Sequence, residues 1–412
     1  MNRLMVYSHD TYTLGNIRRM LAICHHLLES IPDLSILLMA GSPMIESFRL
    51  SERLDYIKLP SLIRTDSEAY SVKSLGTGID ETMRLRSELL TAACMNFRPD
   101  VFLVDKKPYG VKNELATVIR TLRQLQTGLA LVLRDILDAP EKTVSTWRAN
   151  EYYEASLVYD LILVLGSATL FDVTREYCFP RELARKTRFC GYLRTAAGPR
   201  SVGKVRSELQ VSDGEKLVVL TVGGGEDGFK LLSGYAAGSR TLARKERPRT
   251  LMICGREMNS KERQTLLHQI SVDDSIQMLE FTDDVMSYLA ASDLIVSTGG
   301  YNTVCDILST GRRAIVVPCS TPVEEQRIRA ERMSQIGLFH WIPSNQLTPA
   351  RLIETVMANL RASPNQVPDG AIDLDGLPHI CRFVDGLLES RRPTRTFQRS
   401  VASAAVLQGV RA

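Results

Sequence analysis

Short apolar runs rich in Val, Ile and Leu alternate with longer amphipathic stretches along nearly the whole chain, and few folds accommodate that rhythm. In the first half the runs are RLMVYS from Arg3, SILLMAG from Ser35, DVFLVD from Asp100, LALVLRD from Leu129 and DLILVLG from Asp160. Helical segments are expected between them over residues 15–30, 78–96 and 111–125. In the second half the runs are KLVVLTVG from Lys216, TLMICG from Thr250, SIQMLEF from Ser275, DLIVST from Asp293 and RAIVVP from Arg313, each followed by a helix-like segment. Such apolar runs read as strands covered on both faces, as in parallel sheets joined by helices. The stretch GYLRTAAGPR, Gly191 to Arg200, interrupts the rhythm with Gly and Pro and reads as a linker. Two such sets in succession imply an α/β chain of two doubly wound, Rossmann-like parallel-sheet domains facing one another across a cleft. The expected division is an N-terminal domain over 1–195, a C-terminal domain over 196–375, and a C-terminal helix and tail over 376–412.

The 412 residues agree with that division, at roughly 100 to 200 residues per domain. Hydrophobic residues make up 44% and charged residues 24%, the balance of a globular protein rather than a disordered one. The net charge of +4 is small, and Lys and Arg are interspersed with acids except near the C-terminus, so no nucleic-acid partner is expected. Eight cysteines form no CxxC pair and lie mostly in apolar segments, the pattern of reduced, buried thiols in a cytoplasmic protein. Six histidines form no HExxH and no His/Cys cluster, so no tightly held metal is expected. The opening MNRLMVYSHD meets His9 and Asp10 too early for the apolar region of a signal peptide. No stretch approaches the roughly 18 apolar residues of a membrane span. The expectation is a soluble cytoplasmic protein, free to touch the inner face of a membrane with a surface helix.

Two glycine clusters stand where chemistry is expected. Gly299 and Gly300 follow the run DLIVST directly and open a helix near Asn302. Free N–H groups at a helix N-terminus favour an anion, and glycines let it approach the backbone closely, so this is a plausible diphosphate site as well as a plain turn. The second cluster, TVGGGEDG from Thr221 to Gly228, lacks the GK[ST] ending of a Walker A loop and does not spell GxGxxG. It reads either as a second wall of close backbone approach or as a turn capped by Glu226 and Asp227. Asp306, six residues past Gly300, could accept two hydrogen bonds from vicinal ribose hydroxyls or act as a helix-surface partner. Glu325 and Gln326, opening the helix after Pro318, could bind sugar hydroxyls or sit exposed on a capped helix.

Taken together, FTDDVMSYLAASDLIVSTGGYNTVCDILSTGRRAIVVPCSTPVEEQRIRA resembles the nucleotide-sugar half of GT-B fold glycosyltransferases of the family 28 (MurG-like) type. The order of acidic loop, strand, glycines, Thr, acid, Gly, Pro and Glu-Gln is kept over about 50 residues. SHDTYTLGNIRR, Ser8 to Arg19, resembles the start of a branch of predicted glycosyltransferases. The resemblance implies that Gly299, Gly300 and Thr303 hold the diphosphate and that Asp306, where Glu is more usual, takes the ribose. It implies that the backbone at Phe281 and Thr282 reads the base and that Glu325 and Gln326 contact the sugar. Arg194 is the nearest candidate for an arginine on the phosphates, and Gly223, Gly224 and Gly225 form the opposite wall.

Relatives place a His after the LG of the first loop, near the donor–acceptor junction, where this chain has Asn16. Asparagine cannot act as a general base at neutral pH, which leaves His9, Asp10 and Asp105 as candidates. The implied reaction is metal-independent transfer of a hexosyl or N-acetylhexosaminyl group from a nucleoside-diphosphate sugar, UDP-linked, to an acceptor hydroxyl, with inversion. The sugar nucleotide is then substrate rather than cofactor, and the acceptor is a glycan, lipid-linked or small molecule. A non-hydrolysing nucleotide-sugar 2-epimerase and a non-catalytic sugar-nucleotide-binding protein are the alternatives.

Overall fold

The computed structural model describes residues 2–9, 14–64, 69–319, 323–362 and 370–391. In chain order the strands of the first half are β1 (Asn2–Ser8), β2 (Leu34–Ala40), β3 (Leu54–Lys58), β4 (Leu62–Arg64), β5 (Tyr70–Val72), β6 (Val101–Asp105), β7 (Gly128–Arg134), β8 (Leu161–Leu165) and β9 (Thr187–Phe189). The second half adds β10 (Leu217–Thr221), β11 (Arg249–Ile253), β12 (Ile276–Leu279), β13 (Leu294–Ser297), β14 (Ala314–Val316) and β15 (His340–Trp341). They form a seven-stranded sheet in the order β3-β2-β1-β6-β7-β8-β9 and a six-stranded sheet in the order β12-β11-β10-β13-β14-β15. Neighbours in both sheets run parallel, while β4 and β5 form a small antiparallel pair.

Each of the ten apolar runs supplies a strand to one of these sheets. Successive side chains point to opposite faces of a strand, so a run without alternation needs a layer on each side. Leu4 and Val6 meet Ile17, Met20 and Cys24 of the helix Leu14–Ser30, whereas Met5 and Tyr7 face Val118, Ile119 and Leu122 of the helix Ala116–Gln124. In β10 the same division sends Leu217 and Val219 to one layer and Val218 and Leu220 to the other. Each fully buried side chain of this kind contributes roughly 1.5–3 kcal/mol relative to exposure.

The expected helix over 111–125 is shorter in the structure. Residues Val111–Asn113 make a 3-10 turn in which Lys112 and Asn113 take φ of 45° and 62°, and the α-helix begins at Ala116. The strands β3, β9 and β15 carried no usable signal, because LDYIK, TRF and HW are short and half polar. The helix Gly376–Arg391 returns to the first sheet. Its Ile380, Val384 and Leu388 join the core around β1 and β6, and Arg391 pairs with Asp160 at 2.9 Å.

Strand order reverses between β1 and β6 in the first sheet and between β10 and β13 in the second. In open α/β sheets ligands bind beyond the carboxyl ends of the strands at such a reversal. The carboxyl ends of β10 and β13, paired at Thr221 and Ser297, lead into the two glycine clusters. The carboxyl ends of β1 and β6, paired up to Tyr7 and Val104, lead into His9 and Asp105.

Candidate functional site

A cavity of about 1090 Å³ lies between the two domains, lined by both glycine clusters, by the linker from Thr195 to Pro199 and by Gly15, Asn16, Arg18 and Arg134 of the N-terminal half. The linker is therefore part of the wall. Gly198 packs so closely on the helix Val285–Ala291 that a Cβ there would come within 2.4 Å of the Ser287 amide nitrogen.

Gly300 is the N-cap of the helix Tyr301–Thr310 and supplies no side-chain cap. The first intrahelical bond runs from the Val304 N–H to the Gly300 carbonyl, so the N–H groups of Tyr301, Asn302 and Thr303 have no acceptor within the helix. A Cβ on Gly300 would find nothing nearer than Thr303 Oγ1 at 4.0 Å, which leaves open space over the turn. Gly299 is more confined. Its N–H donates to Gln326 Oε1 at 3.1 Å and its carbonyl accepts from Arg329 Nη1 at 2.8 Å. Gln326 Oε1 also accepts the Cys319 N–H at 3.1 Å, so its oxygen orders the glycine turn and its amide NH2 is the end left for another partner.

The second glycine cluster lies beside the first at the same sheet edge. A Cβ on Gly223 would lie 3.4 Å from Thr303 Oγ1, and one on Gly224 would meet the Glu257 carboxylate. Gly225 and Gly255 take φ of 105° and 80° with their backbones in contact, conformations that favour glycine. The wall is thus two glycine turns from adjacent strands pressed on a third after β11.

Asp306 is buried and fully engaged. Its carboxylate accepts two bonds from Arg18, at 2.9 and 2.8 Å, and one from Thr195 Oγ1 at 2.8 Å. Burial alone would lower the Arg18 pKa, and the neighbouring carboxylate outweighs it, holding the guanidinium above its ordinary value. Glu325 is also buried, with Arg134 of the N-terminal half at 2.8 Å and Arg329 at 3.1 Å. Burial would raise its pKa, but Arg134 and Arg329 bring it below the usual glutamate value. Burial pushes the Cys305 thiol up to about 12, which disfavours its thiolate.

On the N-terminal side, Asn16 lines the cavity with both ends of its amide in use. Its Nδ2 donates to the His9 carbonyl at 2.7 Å and its Oδ1 accepts from Arg19 Nη2 at 3.1 Å. Arg19 Nη2 also reaches Asp105 Oδ1 at 2.8 Å. Asp105 and His9 are buried behind Asn16 and Arg19, which line the cavity, with the His9 Nε2 3.5 Å from the Tyr70 hydroxyl. Among the described residues, Asp105 Oδ2 and the neighbouring Ser8 Oγ are buried without a hydrogen-bond partner. Asp10 lies outside the described residues.

Phe281 and Thr282 line the far end of the cavity, where the Arg256 guanidinium stacks 3.7 Å over the Phe281 ring. Thr282 Oγ1 accepts the Asp284 N–H at 3.0 Å and so braces that loop. Arg194, expected at the phosphates, instead faces Asp375 at 3.6 Å and is absent from the cavity wall, because the chain at Leu193 pairs with Asp375. The cations that do line the cavity are Arg18, Arg19, Arg134 and Arg256. Two signals could have pointed to Arg134 and to Arg329, which holds Glu325 and the Gly299 carbonyl. The run LALVLRD ends in adjacent charges at Arg134 and Asp135, and Arg329 follows Glu325 at i+4.

Residues 219–371 match the model of the glycosyltransferase family 28 C-terminal domain. A UDP-N-acetylglucosamine--N-acetylmuramyl-(pentapeptide) pyrophosphoryl-undecaprenol N-acetylglucosamine transferase of Methylibium petroleiphilum is 31% identical over 139 residues, 34% of this chain and 38% of that protein. The match thus spans well under two thirds of that relative's length. Over its whole length the fold resembles that of MurG from Acinetobacter baumannii, with a TM-score of 0.56 at 15% identity, covering 94% of this chain and 100% of that one. It also resembles a putative UDP-N-acetylglucosamine 2-epimerase from Listeria monocytogenes, with a TM-score of 0.63 at 12% identity, covering 95% and 97%. The chain thus carries a segment similar to the family 28 C-terminal domain and is built on the two-domain GT-B fold.

Proposed function

We propose that this protein transfers a hexosyl or N-acetylhexosaminyl group from a UDP-sugar to an acceptor hydroxyl, with inversion and without a metal ion. The observation that carries the reading is the uncapped N-terminus of the helix Tyr301–Thr310, opening through Gly300 into an interdomain cavity within the family 28 segment. A diphosphate laid over Gly300 meets three N–H groups and the positive end of the helix, while the cavity is large enough for a sugar nucleotide.

In the reaction the acceptor oxygen bonds to the anomeric carbon, the bond from that carbon to the β-phosphate oxygen breaks, and its electron pair leaves with the diphosphate. The acceptor proton passes to a base. Helix N–H groups and arginines supply positive charge where the leaving group develops its own, which is the ground for the metal-independent reading. Glu325 and the Gln326 NH2 face the sugar end. Asn16 cannot be the base. Asp105 is the better described candidate, since one of its oxygens is held by Arg19 and the other has no hydrogen-bond partner among the described residues.

A membrane-side acceptor is favoured by the exposed face of the helix Ile79–Phe97. Leu85, Leu89 and Met95 there are 41%, 36% and 43% exposed, and among the described residues no helix is long and apolar enough to cross a bilayer. The epimerase reading draws on the fold likeness to the Listeria protein. A thermal-shift panel of UDP, GDP, TDP and their sugars, with no added metal, tests the donor half. Ligand at about 100 times Kd adds roughly 2.7 kcal/mol, so no shift with any of them refutes nucleotide binding. Release of UDP that depends on an added acceptor then separates transfer from epimerisation.

A further inference from the structure

We infer that Arg18 is a diphosphate-binding residue, parked on Asp306 until the donor arrives and released to the phosphates when the ribose takes its place. This inference rests on the nucleotide-sugar reading above. It answers two facts together: the arginine expected at the phosphates faces Asp375, and the acid expected at the ribose is saturated by protein donors.

Among the described residues, Arg18 is the one cavity-lining arginine whose geometry suits the exchange. Arg19 is buried against Asp105, Arg134 is held by Glu325, and Arg256 stacks on Phe281 at the far end. The Arg18 side chain is 37% exposed, whereas its partner Asp306 is 4% exposed, so the arginine is the mobile member of the pair. A partly exposed ion pair is weak enough to be exchanged for stronger partners.

The helices that carry the pair lie side by side. The Gly15 carbonyl accepts from Asn302 Nδ2 at 2.7 Å, and a Cβ on Gly15 would be 3.6 Å from that nitrogen. One turn further along each helix, Arg18 meets Asp306. The N-terminal turns of two helices therefore converge on the space above Gly300, and Arg18 stands at their seam. A ribose seated on Asp306 competes for the same carboxylate oxygens, and a diphosphate over Gly300 offers the displaced guanidinium a bidentate acceptor. The exchange joins donor binding on the C-terminal domain to a cation from the N-terminal domain.

Calorimetric titration of UDP, UMP and uridine into wild type, Arg18→Ala and Arg18→Lys tests this. The expected result for Arg18→Ala is a loss of about tenfold or more in UDP affinity, a smaller loss for UMP, and uridine binding unchanged or tighter because Asp306 is freed. Arg18→Lys should recover part of the UDP affinity and guards against a folding defect in the alanine variant. If UDP and uridine weaken by the same factor, Arg18 is only a structural clamp and the inference fails. Wild-type UDP affinity in Arg18→Ala overturns it as well. Failure of wild type to bind any of the three overturns the nucleotide reading itself.

Discussion

Asp135 at the end of β7 and Arg329 of the helix Glu325–Gln335 form a two-pronged ion pair across the domain boundary, with both contacts at 2.7 Å and side-chain exposures of 1% and 0%. The same guanidinium donates to the Gly299 carbonyl, and the Tyr192 hydroxyl donates to Asp135 Oδ2 at 2.9 Å. The carbonyl of the glycine turn is therefore fixed by a group that is itself fixed by the other domain. The packing of the two domains and the shape of the glycine turn are coupled through one arginine.

Removing one partner of a buried pair leaves the other charge uncompensated, at a cost of about 3–5 kcal/mol, whereas replacing both with apolar groups is often neutral. Asp135→Ala is accordingly expected to melt well below wild type, and Asp135→Leu combined with Arg329→Met to recover most of the loss. A thermal melt of the three proteins decides it. An Asp135→Ala protein as stable as wild type would show that the two domains do not depend on this contact.

Acid should weaken the same interface. The Glu325 carboxyl is depressed in the folded state, so its contribution is fully present above the unfolded value of about 4.3 and is lost as pH falls through the lower folded value. Asp284 and Asp293 are depressed too, with burial opposing and Arg200 and Arg206 among the groups that outweigh it. They are shared by wild type and Glu325→Gln and cancel in the difference. The gap in melting temperature between those two proteins should stay level above about pH 5 and close below about pH 4. A gap that holds or widens to pH 3 contradicts the assignment.

How far the sequence could be read depends on the range of the interaction. The strands at 217–221 and 294–297 were legible because burial on both faces leaves an unbroken apolar run, and the glycine turns because they follow those runs directly. The candidate residues of the C-terminal domain were legible for a similar reason, since Gly299 and Gln326 lie within one ordered segment. The partnerships were not. Asp135 and Arg329 are 194 residues apart, and Arg18 and Asp306 are 288 apart, so only the docking of two domains brings them together. The position of Arg194 has a local cause, as the pairing of Leu193 with Asp375 turns it away from the cavity.

The glycines of the two turns should separate folding from binding. Gly225→Ala places a Cβ 2.2 Å from the Cys254 carbonyl at a φ of 105°, so it should lower the melting temperature markedly. Gly300→Ala meets open space at a φ of −61° and should melt like wild type, yet its methyl occupies the volume over the helix N-terminus. The expected loss of UDP affinity is at least about tenfold, comparable to losing one charge-assisted hydrogen bond. A Gly300→Ala protein that folds normally and binds UDP like wild type would move the diphosphate away from this turn.

Asp105→Asn tests the base with little change of shape. The asparagine oxygen can still accept from Arg19, while the atom in place of Oδ2 becomes a donor that cannot take a proton. Donor binding should therefore persist, and acceptor-dependent turnover should fall by about 10²–10⁴, the usual contribution of a positioned general base. His9→Ala serves as the contrast. Its ring reaches Tyr70 at 3.5 Å, and only its backbone carbonyl holds Asn16, so the truncation keeps the loop bond and should reduce turnover less. Full turnover in Asp105→Asn together with collapse in His9→Ala would transfer the role to the histidine, and measuring UDP affinity in both keeps the donor site out of the comparison.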